Sequence, residues 1–385
     1  MSHEGNDIQY HLAFSHFLGI GPVRFGLMKK HFRTVKKAYL ASNSELTEVI
    51  GNKLAERFID FKNRFDPVKK REELKKKGIG ILCVDDKDYP ESLRNISDPP
   101  ICIYVKGPAS NFFHTRVSPL RGPLESEKKS DALPFLMFAI VGTRQPTSYG
   151  IQITYKFSRE LTEAGFVIVS GLAKGIDAVA HKAALDGKGT TIAVLGCGVD
   201  IVYPAENYYL YKKIIEKGSL IISEFPPGQF IEKGLFIARN RIISALSRGV
   251  MIVEGGRDSG SLITARYAAE QGKEVFAPPS PITSIMSAAP NILLKEGAKL
   301  VTSVEDILEE FNIRITPKKK EDILEKLGKE EKEIFILLNE KPMLVDDLVV
   351  YLKKPINHIL DTLSLMEISG VVEKNSKNYY QVRLI

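Results

Sequence analysis

No apolar run in this 385-residue chain approaches the roughly 18 residues that a membrane-spanning helix requires, so no membrane partner is expected. The opening stretch "MSHEGNDIQYHLAF" has no basic patch followed by an apolar core and does not read as a signal peptide. Cysteine is scarce: Cys83, Cys102 and Cys197 lie far apart in sequence and form no CxxC pair. That spacing gives neither a disulfide framework nor a structural metal site, and a reducing cytoplasm is the expected location. The chain also has no HExxH, no GxSxG and no second histidine cluster. No coherent catalytic set, no metal and no cofactor is expected.

What is present is a mild positive excess, a formal +7 at neutral pH, which weakly favours an anionic partner. The length implies two or three domains. Residues 1–77 read as a helical domain resembling the SAM or helix-hairpin-helix kind, with a hairpin at Gly19-Ile20-Gly21 that either offers backbone N–H groups to a phosphate or simply joins two helices. Residues 107–135 are rich in Pro, Ser and charge and read as a loop inserted into the next domain, 78–313. From Phe138 the texture is regular. Continuously apolar runs at 138–141, 166–170, 191–196, 220–225, 250–254 and 274–277 alternate with helix-length segments. This predicts an α/β, Rossmann-like, mostly parallel sheet with helices on both faces. A polar linker at 314–328 precedes three helices and a hairpin turning at Asn375-Ser376, which predicts a winged helix over 329–385.

Parallel strands end on one edge, so the loops after them share a rim. Glycines punctuate it: Gly142-Thr143-Arg144, Ser170-Gly171, Gly196-Cys197-Gly198, Pro226-Pro227-Gly228 and Gly255-Gly256. Such loops let an anion approach backbone N–H groups. "GCGVDI" has Ile201 where a dinucleotide fingerprint needs Gly or Ala, and "GGRDSGS" has Ser261 where a P-loop needs lysine. Asp177 and His181 stand four apart on one helix face, the spacing of an acid–base pair and, more commonly, of a structural contact.

The cations on this rim are Arg144, Lys233, Arg239 and Arg241, the last two at the expected start of a helix and beside Phe236. A helix N-terminus opposes positive charge, so a bound anion would relieve the conflict. Phe236 could stack a base. A bridge to Glu224 or Glu254 would account for one arginine and is less suited to absorbing all the cations.

"AIVGTRQPTSYG", "VSGLAKGIDAVAHKAAL", "AVLGCGVDIVYPAEN", "SEFPPG" and "RNRIISALSRGVMIVEGGRDSGSLITARYAAEQGKEVFA" closely resemble the DprA (Smf) family of DNA-processing proteins. The likeness runs over about 139–305, and the helical front and winged-helix tail match the extended form of that family. It implies a homodimer through the Rossmann-like domain that binds single-stranded DNA in natural transformation, protects it and loads RecA onto it, without catalysis. By that resemblance the strand site comprises Gly142, Thr143, Arg144, Lys233, Phe236, Arg239, Asn240 and Arg241, with the rim loop Ser170-Gly171 beside them. Ile237 replaces the proline of the family's FPxRNRII motif, and Ala205 stands where some relatives have a basic residue. The alternative is a nucleotide-cleaving enzyme of a related Rossmann group, whose PGGxGT loop corresponds here to "EGGRDSGSLITA". Helix 261–271, with Leu262, Ile263 and Tyr267, is readable as a dimer element or as a core helix.

Overall fold

The structure is a computed structural model that describes residues 7–108, 136–232, 234–313, 327–375 and 378–382. Most of the inserted loop, most of the linker, Lys233 and Ser376 therefore lie outside the described residues. The chain divides into two compact units, Met1–Ile313 and Arg314–Ile385.

The first unit opens with six helices: α1 (Ile8–His16), α2 (Pro22–Phe32), α3 (Val35–Leu40), α4 (Asn43–Ile50), α5 (Asn52–Arg64) and α6 (Pro67–Lys76). Pro22 at the first position of α2 has no N–H to leave unpaired, and its fixed φ suits a helix start. Ser42 and Glu45 form a capping box on α4, and Asp66 caps α6 through the N–H groups of Val68 and Lys69. The rings of Phe14 and Phe58 stack 5.0 Å apart in the centre of this bundle. The bundle is fastened to the sheet that follows: His11 Nε2 meets Asp85 at 2.9 Å, and Ser15 Oγ meets Tyr104 Oη at 2.5 Å.

The sheet contains, among the described residues, β1 (Gly80–Cys83), β2 (Cys102–Lys106), β3 (Met137–Val141), β4 (Val167–Ser170), β5 (Thr191–Val194), β6 (Leu220–Ser223), β7 (Gly249–Ile252), β8 (Glu274–Ala277) and β9 (Lys299–Leu300). Their order is β1-β2-β6-β5-β4-β3-β7-β8-β9. All pairings from β6 across to β9 are parallel, and β1 and β2 extend the β6 edge antiparallel. The helices are α7 (Glu91–Arg94), α8 (Ser148–Glu163), α9 (Ile176–Asp186), α10 (Tyr208–Glu216), α11 (Leu235–Leu246), α12 (Gly260–Glu270), α13 (Ala288–Lys295) and α14 (Val304–Glu310). Alternate residues of β3 enter opposite cores. Phe138 and Ile140 join Phe157, Leu161 and Ala180, whereas Ala139 and Val141 join Ile242, Leu246 and Ala265. Both faces are thus covered, which is why the strands read as unbroken apolar runs.

From β3 the chain steps outward through β4, β5 and β6, then returns to the other side of β3 as β7. The winding direction reverses between β3 and β7, the point where doubly wound sheets usually open a ligand crevice. Antiparallel pairing also sets Cys83 directly opposite Cys102, with their sulfurs 3.2 Å apart as free thiols. Two of the cysteines that are distant in sequence are therefore neighbours in space. In α12, Leu262, Ile263 and Tyr267 are half-buried against its own unit.

The second unit comprises α15 (Lys329–Glu340), α16 (Val345–Leu352), α17 (Ile356–Ile368) and the hairpin of β10 (Val372–Lys374) and β11 (Tyr380–Val382). Phe335, Leu348, Leu363, Met366 and Tyr380 form its own core, and Met343 bridges to Tyr380.

Candidate nucleic-acid interface

At the β3/β7 reversal the crevice is filled by the protein itself. Glu254, 2 % exposed, accepts hydrogen bonds from the Thr147 backbone N–H at 2.8 Å and from Thr147 Oγ1 at 2.5 Å. Its carboxylate sits at the start of α8, where a nucleotide phosphate would be held by the helix N-terminus. Gly142 lies against Ile176 and the Glu254 carbonyl, and the Thr143 N–H donates to that carbonyl at 2.8 Å. These two residues close the crevice rather than line an open one.

The open concavity is one step along the rim, beyond β3, β4 and β5. It is lined by Arg144, Gly171, Ala173, Lys174, Tyr203, Pro204 and Phe236. Arg144 is exposed and lies over the Phe236 ring, 5.5 Å from its centroid. Tyr203 stands beside Phe236 with ring centroids 5.5 Å apart and planes tilted by 45°. Gly196 supports this arrangement: a Cβ there would lie 2.9 Å from Phe236 Cδ1 and 3.1 Å from its Cα, so any side chain would displace the first turn of α11. Lys174 forms an exposed ion pair with Glu206, and Asn207 Nδ2 donates to the Leu172 carbonyl at 2.9 Å, fixing the loop that carries it. Lys174 and Tyr203 belong to the site although the motifs did not single them out. Their signal was a lysine in one glycine loop, "GLAKG", and an aromatic one strand on, "VYPAEN".

Arg239 and Arg241 require correction as rim cations. Helix α11 begins at Leu235, so both arginines lie beyond its first turn, and their side chains are buried in the body of the protein. They are 4 % and 3 % exposed. Arg239 Nη1 donates to the Gly171 carbonyl at 2.7 Å and to the Val194 carbonyl, and Nε donates to Asn240 Oδ1 at 3.3 Å. Its guanidinium lies directly under Gly171, where an added Cβ would meet Nη1 at 2.3 Å. Arg241 is clamped by carboxylates: Nη1 and Nη2 reach Glu224 at 3.0 and 2.6 Å, and Nε reaches Asp98 at 2.8 Å. Of the two candidate bridges, Glu224 is the one formed. Burial pushes the Glu224 carboxyl up and Arg241 draws it back. Asn240, half-buried, donates to the Gly260 carbonyl at 3.3 Å at the surface between α11 and α12. Ser170, fully buried, donates to the Ile140 carbonyl and does not face the rim. The pocket thus brings together Arg144, Gly171 and Phe236, with Gly142, Thr143, Ser170, Arg239, Asn240 and Arg241 as the frame behind them.

Asp177 and His181 do not bond each other. Asp177 Oδ2 accepts from the N–H groups of Gly171 and Ala173 at 3.1 and 3.4 Å. Burial raises its carboxyl above the usual aspartate range, and Arg239 pulls it back. Thr191 Oγ1 gives its proton to the Ile168 carbonyl, so His181 Nδ1 donates to Thr191 at 2.7 Å, while Nε2 accepts from the Leu172 N–H at 3.3 Å. The ring is therefore a neutral structural imidazole. Burial lowers its pKa to about 3, and the nearby Arg239 charge adds to the effect. A histidine lowered in the folded state binds its proton first in the unfolded chain. Its stabilising contribution is complete above the ordinary pKa and is lost as pH falls from about 6.5 towards 3, at about 1.4 kcal/mol per pH unit. Urea unfolding across that range should show a shallower acid loss for His181→Gln than for the wild type; identical slopes would refute this reading.

The doubly wound body, its closed reversal point and the basic, aromatic strand-end pocket beside it are those of a Rossmann-like α/β protein. The family model for DNA recombination-mediator protein A matches residues 126–312. Protein Smf of Synechocystis sp. is 40 % identical over 302 residues, covering 78 % of this chain and 71 % of that protein. DNA processing protein DprA of Bacillus subtilis is 40 % identical over 237 residues, covering 62 % and 73 %. The X-ray structure of DNA processing protein A from Streptococcus pneumoniae superposes with a TM-score of 0.65 at 33 % identity, covering 80 % of this chain and 97 % of that one. DNA processing protein A from Helicobacter pylori, whose structure concerns its single-stranded DNA binding mode, gives a TM-score of 0.50 at 31 % identity, covering 61 % and 97 %. The chain belongs to the DprA/Smf family of DNA-processing proteins.

Proposed function

We propose that this protein binds single-stranded DNA at the Arg144–Phe236 pocket and acts as a recombination mediator that hands the strand to a RecA recombinase, with no catalytic step of its own. The observation that carries the reading is the exposed Arg144 stacked on Phe236 beside Tyr203, next to a reversal point whose phosphate position Glu254 fills. A cation meets a phosphate, the two rings offer stacking faces to a base, and the buried Arg239 adds positive potential beneath Gly171. Lys174 joins Arg144 as a contact, and Lys233 belongs to the same proposal by its place in the sequence just before α11. The Helicobacter pylori relative, titled for single-stranded DNA binding, supports this choice of ligand.

A homodimer through the same body is part of the proposal. The surface after β8 carries Ile282 and Ile285, 93 % and 80 % exposed, and the edge strand β9 carries Leu300 at 56 %. Pairing would cover such apolar side chains. In the second unit, Lys354 is held by Glu330 and Glu333 at 3.2 and 3.0 Å, and His358 lies 3.4 Å from Glu330. Lys354 and His358 near the start of α17 are thus engaged by carboxylates while Lys353 is exposed, and protein contact or a weak auxiliary role is the part proposed for this unit. The three buried free thiols suit a reducing cytoplasm, and no described helix is long and apolar enough to cross a membrane.

The test is a salt-titrated binding assay with labelled single strand. Arg144→Ala should weaken binding and reduce the slope of log affinity against log salt by about 1, with melting temperature unchanged. Wild-type affinity and slope in that variant would overturn the site. Release of free base from nucleoside monophosphates would favour the nucleotide-cleaving reading instead.

A further inference from the structure

A second basic concavity lies in the N-terminal bundle, on elements that do not line the pocket above. It lies between the Gly19 turn and the α4–α5 junction, and Arg24, Gly51, Lys53, Leu54 and Arg57 line it with Gly19. Helix α5, more than three turns long, starts in its wall at Gly51–Leu54 and has no side chain capping its N-terminus, which leaves backbone N–H groups directed outward. The three cations are exposed and form no ion pair with any carboxylate among the described residues. Arg24 donates to the Gly19 carbonyl at 3.1 Å, and Arg57 lies 6.0 Å from the centroid of Phe17. The nearest acid on α5, Glu56, is held by Asn52 at 2.9 Å and does not line the concavity.

We infer that this concavity is a separate binding site for the phosphodiester backbone of duplex DNA. Three exposed cations and the uncapped start of α5 converge on one space, which is the chemistry of a site for closely spaced phosphates. No aromatic side chain lines it, so it gains nothing from an unstacked base. That separates it from the Arg144–Phe236 pocket, whose rings favour unpaired bases. Paired DNA flanking a bound strand is the ligand that one site leaves and the other accepts. Its charges contact backbone alone, so the binding is independent of sequence and steep in salt.

The experiment measures a short blunt duplex at low salt by fluorescence anisotropy. It uses the full chain carrying Arg144→Ala and Phe236→Ala, so that the pocket does not contribute. Adding Arg24→Gln, Lys53→Gln and Arg57→Gln should weaken duplex binding by about tenfold or more and lower the salt slope by about 2 to 3. Removing the same charge from the exposed α6 surface, with Lys69→Gln, Arg71→Gln and Lys75→Gln, should leave affinity within about twofold, because a site and not net charge is responsible. Three outcomes overturn the inference: no duplex binding by the parent, an unchanged affinity after the Arg24, Lys53 and Arg57 changes, or an equal loss from the α6 control. Failure of the pocket assignment would show separately, as unchanged single-strand binding in the Arg144→Ala, Phe236→Ala parent.

Discussion

Arg239→Ala costs about 3–5 kcal/mol of folding stability, the range for breaking a buried charge pair by removing one partner. Three losses combine. The Gly171 and Val194 carbonyls lose a charged donor at the ends of adjacent strands, and Asp177 loses the cation that draws its raised carboxyl back. The guanidinium also fills the space under Gly171, which a methyl group would leave open. The effect has a signed pH dependence. Without Arg239 the folded-state pKa of Asp177 rises further, so the folded protein keeps a proton that the unfolded chain gives up. A raised acid loses stability as pH climbs from the ordinary aspartate range through the folded-state value. The deficit of Arg239→Ala relative to wild type should therefore be smallest in acid and grow towards neutrality. Urea unfolding at several pH values measures both features. A deficit under about 1 kcal/mol at neutral pH would show that the arginine is not the keystone of this corner.

The same arginine marks where reading the sequence stopped. The apolar runs place β3 to β8 to within two residues at either end, because strands covered on both faces have no polar alternation to blur. Ile242 and Leu246 are core residues of α11, as their helical spacing implies. The chain gives no comparable sign of what Arg239 meets, since its acceptors are backbone carbonyls of two other strands and a carbonyl has no residue identity. Arg241 was more legible: Glu224 could be named as a partner, although Asp98 could not, coming from a loop after α7. The antiparallel strands β1 and β2 escaped for another reason. No helix-length segment separates β2 from a parallel neighbour, so the strand–helix rhythm that marks β3 to β8 is missing there. Their cross-strand register is also what brings Cys83 and Cys102 together.

Phe236→Leu should then be the sharpest test of what the pocket does with a strand. A base stacked on an aromatic is worth about 1–3 kcal/mol, a loss of about 5- to 150-fold in single-strand affinity when the ring is removed. Leucine keeps an apolar side chain against Gly196 but offers no flat face, so stability should hold while binding falls. Arg144 and Phe236 are not independent, because the guanidinium lies over the ring and its position depends on that ring. In a double-mutant cycle, Arg144→Ala and Phe236→Leu should lose less together than the sum of their separate losses. The salt dependence separates their roles: Arg144→Ala lowers the slope, and Phe236→Leu lowers affinity at every salt concentration with the slope retained. Tyr203 provides the comparison within the site, as its ring adjoins Phe236 but has no cation over it among the described residues. If Phe236→Leu binds single strand like the wild type, the ring is a wedge beneath α11 rather than a stacking face, and the affinity must come from phosphate contacts alone.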